Sequence, residues 1–274
     1  MHFLKCQSEE QNLQIEASPP AMEEIKPKPG IWGGWPTLGF SAAIFGIFFA
    51  TQTLAAIVFL AIQIASNPSL WALTNLMDYL IKLQSNGLLL STTIIFSGIC
   101  GFFFIWLFVK LRRGYSFKDY LEFNKPRGRQ WLMILAAILL LFIFSSFVDQ
   151  VYTDTKALKM MTDAYLSAGW TPLFWIATIV FAPVFEESFF RGFLFVGLRN
   201  SKAGPLWAVI ITSVTFAMVH IQYNWIGIVT IMFVGLVFGL VRLFSKSLWT
   251  SITLHAVWNL FSTIGIALYA QGLS

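Results

Sequence analysis

The chain has 274 residues, of which 57% are hydrophobic and 11% charged, with a mean hydropathy of +0.71. Soluble domains carry ~25% charged residues, so this composition excludes a soluble globular protein and indicates an all-α, polytopic transmembrane helix bundle. The formal net charge of +5 would suit a nucleic-acid partner only if the cations gathered on one surface; they follow membrane topology instead, and no nucleic-acid partner is expected.

Residues 1–34 read as a flexible polar cytoplasmic tail, mixed in charge, with Pro19, Pro20, Pro27 and Pro29 and no apolar run. It lacks the basic-then-apolar order of a cleavable signal peptide. The transmembrane domain is then 35–274. Apolar runs at about 37–66, 88–109, 131–148, 172–198, 205–222, 224–244 and 247–270 predict seven helices. Leu70 to Asn86, with Trp71, Leu76, Tyr79, Leu80 and Leu83 at helical spacing, predicts an interfacial amphipathic or re-entrant helix, and the total is seven to eight. Gly46, Gly98 with Gly101, and Gly235 with Gly239 are small residues expected to let helices approach closely. Cys6 and Cys100 fall in the tail and inside a span, which argues against a disulfide framework.

With the tail placed inside, inside segments hold Lys5, Lys26, Lys28, Lys110, Arg112, Arg113, Lys118, Lys125, Arg127, Arg129, Arg199, Lys202, Arg242 and Lys246. Outside segments hold only Lys82, Lys156 and Lys159, and Arg191 in the fourth span completes the 18 basic residues. The bias predicts N-terminus in and C-terminus out over seven spans. The basic loop from Lys110 to Arg129 also suits anionic lipid head groups, although topology accounts for its charge.

An ionisable group inside a span costs ~2.5 kcal/mol or more and marks a functional site by default. Glu186, Glu187 and Arg191 lie within the fourth apolar run, and His220, His255 and Asn259 lie within later ones. Their convergence on one hydrated intramembrane cavity would spare each of them contact with lipid. His255 and Asn259 are i, i+4 and share a helix face. Glu187 and Arg191 have the same spacing with the acid first, the favourable order for a supporting ion pair. Glu186 projects ~100° away and is left for chemistry as general base. His220 would position or activate its water, while His255 and Asn259 would donate to a developing oxyanion. Pro183 removes a backbone donor three residues before Glu186, which kinks the helix, opens space or frees a carbonyl, or serves as packing detail alone.

Glu186-Glu187-x-x-x-Arg191, Phe216-x-x-x-His220 and His255-x-x-x-Asn259, in this order and each in an apolar run, resemble the three-motif signature of the CPBP family of intramembrane proteases. That family includes the type II CAAX prenyl endopeptidases and proteins linked to bacteriocin immunity or processing. The resemblance covers about 170–262. It implies a bundle of about eight helices with a catalytic cavity opening within the bilayer, Glu186 and His220 as the water-activating pair, and His255 with Asn259 stabilising the oxyanion.

Rival chemistries find little support. Neither intramembrane histidine is followed by Glu, as a zincin motif requires; the five aspartates lie in loops or at span ends, and no Gly-x-Ser-x-Gly elbow occurs. A divalent metal such as zinc held by Glu186, His220 and His255 stays open beside the favoured metal-free mechanism, since His₂Glu is a known catalytic set. A proton- or cation-coupled transporter, or an inactive relative that stabilises a membrane partner, are the alternatives to an endopeptidase acting on a membrane-embedded or lipidated peptide. Substrate identity is not written in these residues. The plasma membrane is the expected location for a bacterial source.

Overall fold

The computed structural model describes residues 30–152 and 155–272. Most of the expected 1–34 tail, with His2 and Cys6, lies outside them. In chain order the helices are α1 (Gly34–Ser66), α2 (Leu73–Leu83), α3 (Gly87–Leu111), α4 (Phe117–Leu121), α5 (Gly128–Val151), α6 (Thr155–Leu166), α7 (Thr171–Arg199), α8 (Gly204–Met218), α9 (Trp225–Ser245) and α10 (Leu248–Ala270). A 3-10 turn, Pro68–Trp71, precedes α2, and no strand forms among the described residues.

Six helices, α1, α3, α5, α7, α9 and α10, are long and apolar enough to cross a bilayer. With 15 residues, α8 is about 22 Å long at ~1.5 Å per residue, short of the ~30 Å hydrocarbon core. The chain is a multi-pass membrane protein, with these six helices and the shorter apolar α8. Helix starts follow from local chemistry: Asn86, Asn224 and Ser247 accept the main-chain N–H of Leu89, Gly227 and Thr250, donors that the first helical turn leaves free. α2 buries none of its residues and leaves Leu73, Met77 and Ile81 exposed, an arrangement that suits a membrane interface.

The core is built around α7. Phe185, Phe189, Phe190, Phe193 and Phe195 pack with Ile44 of α1, Ile105 and Val109 of α3, Phe216 of α8 and Ile252 of α10. A second cluster joins Ile134, Ile138 and Leu141 of α5 to Val234, Val237 and Phe238 of α9 and Leu254 of α10. Glycines set two of the closest approaches to α7. A Cβ on Gly101 would stand 2.3 Å from the Phe185 ring, and one on Gly197 would stand 2.0 Å from Thr37 Oγ1. The outer face of α5, with Leu132, Leu139, Ile143 and Phe147, is exposed and apolar, as contact with lipid permits.

Four sequence expectations need correction. Gly46 has open space around it and mediates no close approach. The connection before α7 contains a helix, α6, whose mixed composition hid it between apolar runs. Arg242, counted among the cations of an inside segment, is fully buried in α9. His220 sits past the end of α8, because the chain leaves the helix at Met218 and must reach the Asn224 cap within six residues.

Arg242 and Arg199 owe their positions to Glu122, which follows α4 in left-handed backbone geometry at φ 56°. Arg199 makes a two-pronged contact with its carboxylate at 2.8 and 3.2 Å, and Arg242 Nη2 approaches to 2.8 Å. Burial raises the Glu122 pKa, but the two guanidinium groups outweigh it and hold the carboxyl below the usual range. A depressed folded-state pKa contributes stability that is complete above the ordinary carboxylate value of 4.5 and is lost as pH falls through the folded one. Acid unfolding of detergent-solubilised Glu122→Gln is therefore expected to be shallower than wild type below about pH 4.5, with lower stability at neutral pH. Identical acid limbs in the two proteins would contradict this linkage.

Candidate active site

The site is assembled on α7 and closed by α8, α9 and α10. Glu187 and Arg191 have no exposed surface and pair at 3.0 Å. In hydrocarbon such a pair needs partners for its other polar atoms, and all but Arg191 Nε have one. Glu187 Oε1 also meets His255 Nδ1 at 3.0 Å, and Oε2 accepts from Ser251 Oγ. Arg191 Nη2 donates to the Gly235 carbonyl at 3.0 Å, and its guanidinium lies over the Phe216 ring, 4.5 Å from the centroid. The glycine matters here, since a Cβ on Gly235 would approach Arg191 Nη2 to 3.3 Å.

Two histidine tautomers follow from these partners. A carboxylate only accepts, so His255 Nδ1 carries a proton and donates it to Glu187, which turns Nε2 towards Glu186. Glu186 Oε2 stands 3.9 Å from that Nε2, beyond direct hydrogen-bond reach. The Glu186 side chain is 23% exposed and makes no hydrogen bond among the described residues, so its carboxylate is available. At the end of α8, the main-chain N–H of His220 donates to Ala217 and leaves the Phe216 carbonyl without its usual helical donor. His220 Nδ1 fills that place at 2.7 Å, and because a carbonyl only accepts, the neutral ring keeps Nε2 as a lone-pair acceptor.

The six residues singled out in the sequence are not all in contact. Glu186, Glu187, Arg191 and His255 form one cluster. His220 joins it through Phe216, whose ring lies 4.9 Å from the His220 ring and 5.9 Å from that of His255. No hydrogen bond or ion pair links Glu186 to His220 among the described residues. Asn259 Nδ2 donates at 2.8 Å to the main-chain carbonyl of Thr178, one helix away. Its amide has a second N–H.

α7 departs from α-helical geometry twice. Widened π turns at Ala177–Phe181 and Ser188–Leu194 flank a six-residue α segment, Ala182–Glu187, that carries both glutamates. Pi turns are uncommon and occur often at functional sites.

Residues 168–261 match the family model described as type II CAAX prenyl endopeptidase Rce1-like. This segment is similar to that family. No curated protein and no solved structure gave a match. The Rce1-like segment holds Glu186, Glu187, Arg191, His220, His255 and Asn259, and it coincides with the 170–262 stretch that carries the CPBP motifs. At family level the likeness is to CAAX-protease-like intramembrane endopeptidases.

Among the described residues no group of three His, Cys, Asp or Glu side chains is gathered as a metal requires, and Glu186, His220 and His255 are not drawn onto a common point. The sequence reading passed over Ser251 and Thr178, and took Gly235 for helix packing alone. Ser251 was legible: with His255 and Asn259 it makes an i, i+4, i+8 stripe on α10. Thr178 was not, because its contribution is a main-chain carbonyl.

Proposed function

We propose that the protein is an intramembrane endopeptidase that hydrolyses a peptide bond of a membrane-embedded or lipidated substrate through a glutamate-activated water, without a metal. The observation that carries this reading is the open Glu186 carboxylate beside His255 Nε2, on a ring fixed from behind by buried Glu187. Glu186 takes a proton from water as the oxygen attacks the scissile carbonyl carbon. His220, with its free Nε2 lone pair, orients that water or shares its proton.

The carbonyl oxygen becomes an oxyanion, for which His255 Nε2–H and the second Asn259 N–H are the donors. Donation from Nε2 requires His255 to carry protons on both ring nitrogens before the water attacks. With Glu186, Glu187 and Arg191 ionised that resting cluster sums to zero charge, and once Glu186 has taken the water proton the oxyanion keeps the sum at zero. Collapse of the intermediate breaks the C–N bond, and Glu186 returns the proton to the leaving amine. An apolar cavity of about 320 Å³ between α7 and α10, lined by Ile179, Val184, Ile252 and Val257 among others, gives a lipidated or transmembrane substrate an approach from the bilayer. The orientation proposed is N-terminus cytoplasmic with the C-terminus outside, from the distribution of basic residues, and it requires the 15-residue α8 to serve as a seventh crossing.

Full-length protein in liposomes, incubated with a prenylated CAAX peptide or a transmembrane peptide in heavy-oxygen water, tests the reading. The expected result is two fragments, the new carboxylate carrying one heavy oxygen. Proton or cation flux across the same liposomes with neither peptide cut would overturn it in favour of a transporter.

A further inference from the structure

The two π turns of α7 free one main-chain carbonyl each, and a side chain from a different neighbouring helix takes each of them. At the first, the Ala182 N–H donates to Ala177, five residues back, and so bypasses Thr178. The next donor in that register would be residue 183, which is proline and has no N–H. The Thr178 carbonyl is thus denied both its i+4 and its i+5 partner, and Asn259 Nδ2 supplies the missing bond at 2.8 Å. At the second, the Phe195 N–H donates to Phe190 and Gly192 and passes over Arg191, whose carbonyl accepts from Arg242 Nε at 2.9 Å.

An unpaired carbonyl within a bilayer costs several kcal/mol, so neither capture is incidental. The captures lie on either side of Ala182–Glu187. Asn259 ties the start of that turn to α10, the helix that also carries Ser251 and His255, while Arg242 ties its far side to α9 and, through Glu122, to the loop after α4.

We infer that Asn259 is a positioning residue: through the Thr178 carbonyl that Pro183 leaves vacant, it sets the α7 turn bearing Glu186 against the α10 face bearing His255. The effect on turnover rests on the protease reading; the hydrogen-bond substitution itself does not. A carboxylate that must meet a water and a substrate is sensitive to displacement, and ~1 Å of misplacement can cost ~10²-fold in rate.

A double-mutant cycle reads this directly. In Pro183→Ala the restored N–H at 183 can reach Thr178 in the existing i to i−5 register, so Asn259 is no longer the sole donor. Asn259→Ala is expected to lower the unfolding temperature of the solubilised full chain and to reduce kcat for the liposome peptide by up to ~10²-fold. Both losses are expected to shrink when the same change is made in the Pro183→Ala background. An equal or larger kcat loss in that background overturns the proposal, because an amide acting on the oxyanion alone is indifferent to residue 183. The thermal arm stands without any protease activity, so failure of the function and failure of the latch are told apart. Should Pro183→Ala not fold, Asn259→Asp, equal in size but without amide donors, serves in its place. It is expected to lose as much thermal stability as Asn259→Ala, and a wild-type unfolding temperature would overturn the latch.

Discussion

Glu186→Gln is expected to lower peptide cleavage by ~10²–10⁴-fold while leaving the unfolding temperature close to wild type, the combination that separates a reacting group from a structural one. The substitution keeps size and shape and removes only basicity. Glu186 makes no hydrogen bond among the described residues, and its Oε2 stands 3.9 Å from His255 Nε2, so the substitution breaks no hydrogen bond. Its neighbour behaves differently. Glu187 is fully buried and serves Arg191, His255 and Ser251 together, and Glu187→Gln removes an acceptor that three groups share. Activity measured against unfolding temperature for these two variants places one on the chemistry axis and the other on the stability axis. Retention of cleavage in Glu186→Gln would remove the proposed base.

Much of the scaffold was legible because a bilayer imposes few rules. Length and apolarity alone locate the runs that became α1, α3, α5, α7, α9 and α10, within a few residues at each end. The spacing of Glu187 and Arg191 stated their pairing in advance, since four residues on a helix is a contact distance. Three features were hidden for physical reasons. α6 has mixed polarity, so hydropathy registers it as a loop. His220 follows an apolar run that continues past the point where the helix ends, and hydropathy does not see a terminus. The π turns change main-chain hydrogen bonding without any compositional signal, apart from Pro183 at the first of them. The side-chain partners that answer those turns, Asn259 and Arg242, were visible as residues but not as partners.

Arg191→Met is expected to destabilise the protein by ~3–5 kcal/mol, the cost of leaving one member of a buried ion pair alone. Methionine fills the volume and suits the Phe216 and Phe238 rings that now face the guanidinium. The loss is therefore electrostatic rather than steric. Glu187 would keep Ser251 and His255, but its charge would lack the cation 3.0 Å away, and the Gly235 carbonyl would lose its donor. In a soluble core such a pair is often replaced by apolar residues at little cost. Here the double variant Glu187→Leu with Arg191→Met is expected to recover only part of the loss, because His255 Nδ1, Ser251 Oγ and the Gly235 carbonyl each remain without the partner they have now. Those three groups also explain why activity should not return with stability: without Glu187 the His255 ring keeps its Phe216 and Phe238 contacts but loses the hydrogen bond that turns its Nε2 to Glu186. Thermal unfolding of the single and double variants beside their cleavage rates checks both halves. Full recovery of stability and rate in the double variant would show that the pair is dispensable, and that the His255 orientation is set elsewhere.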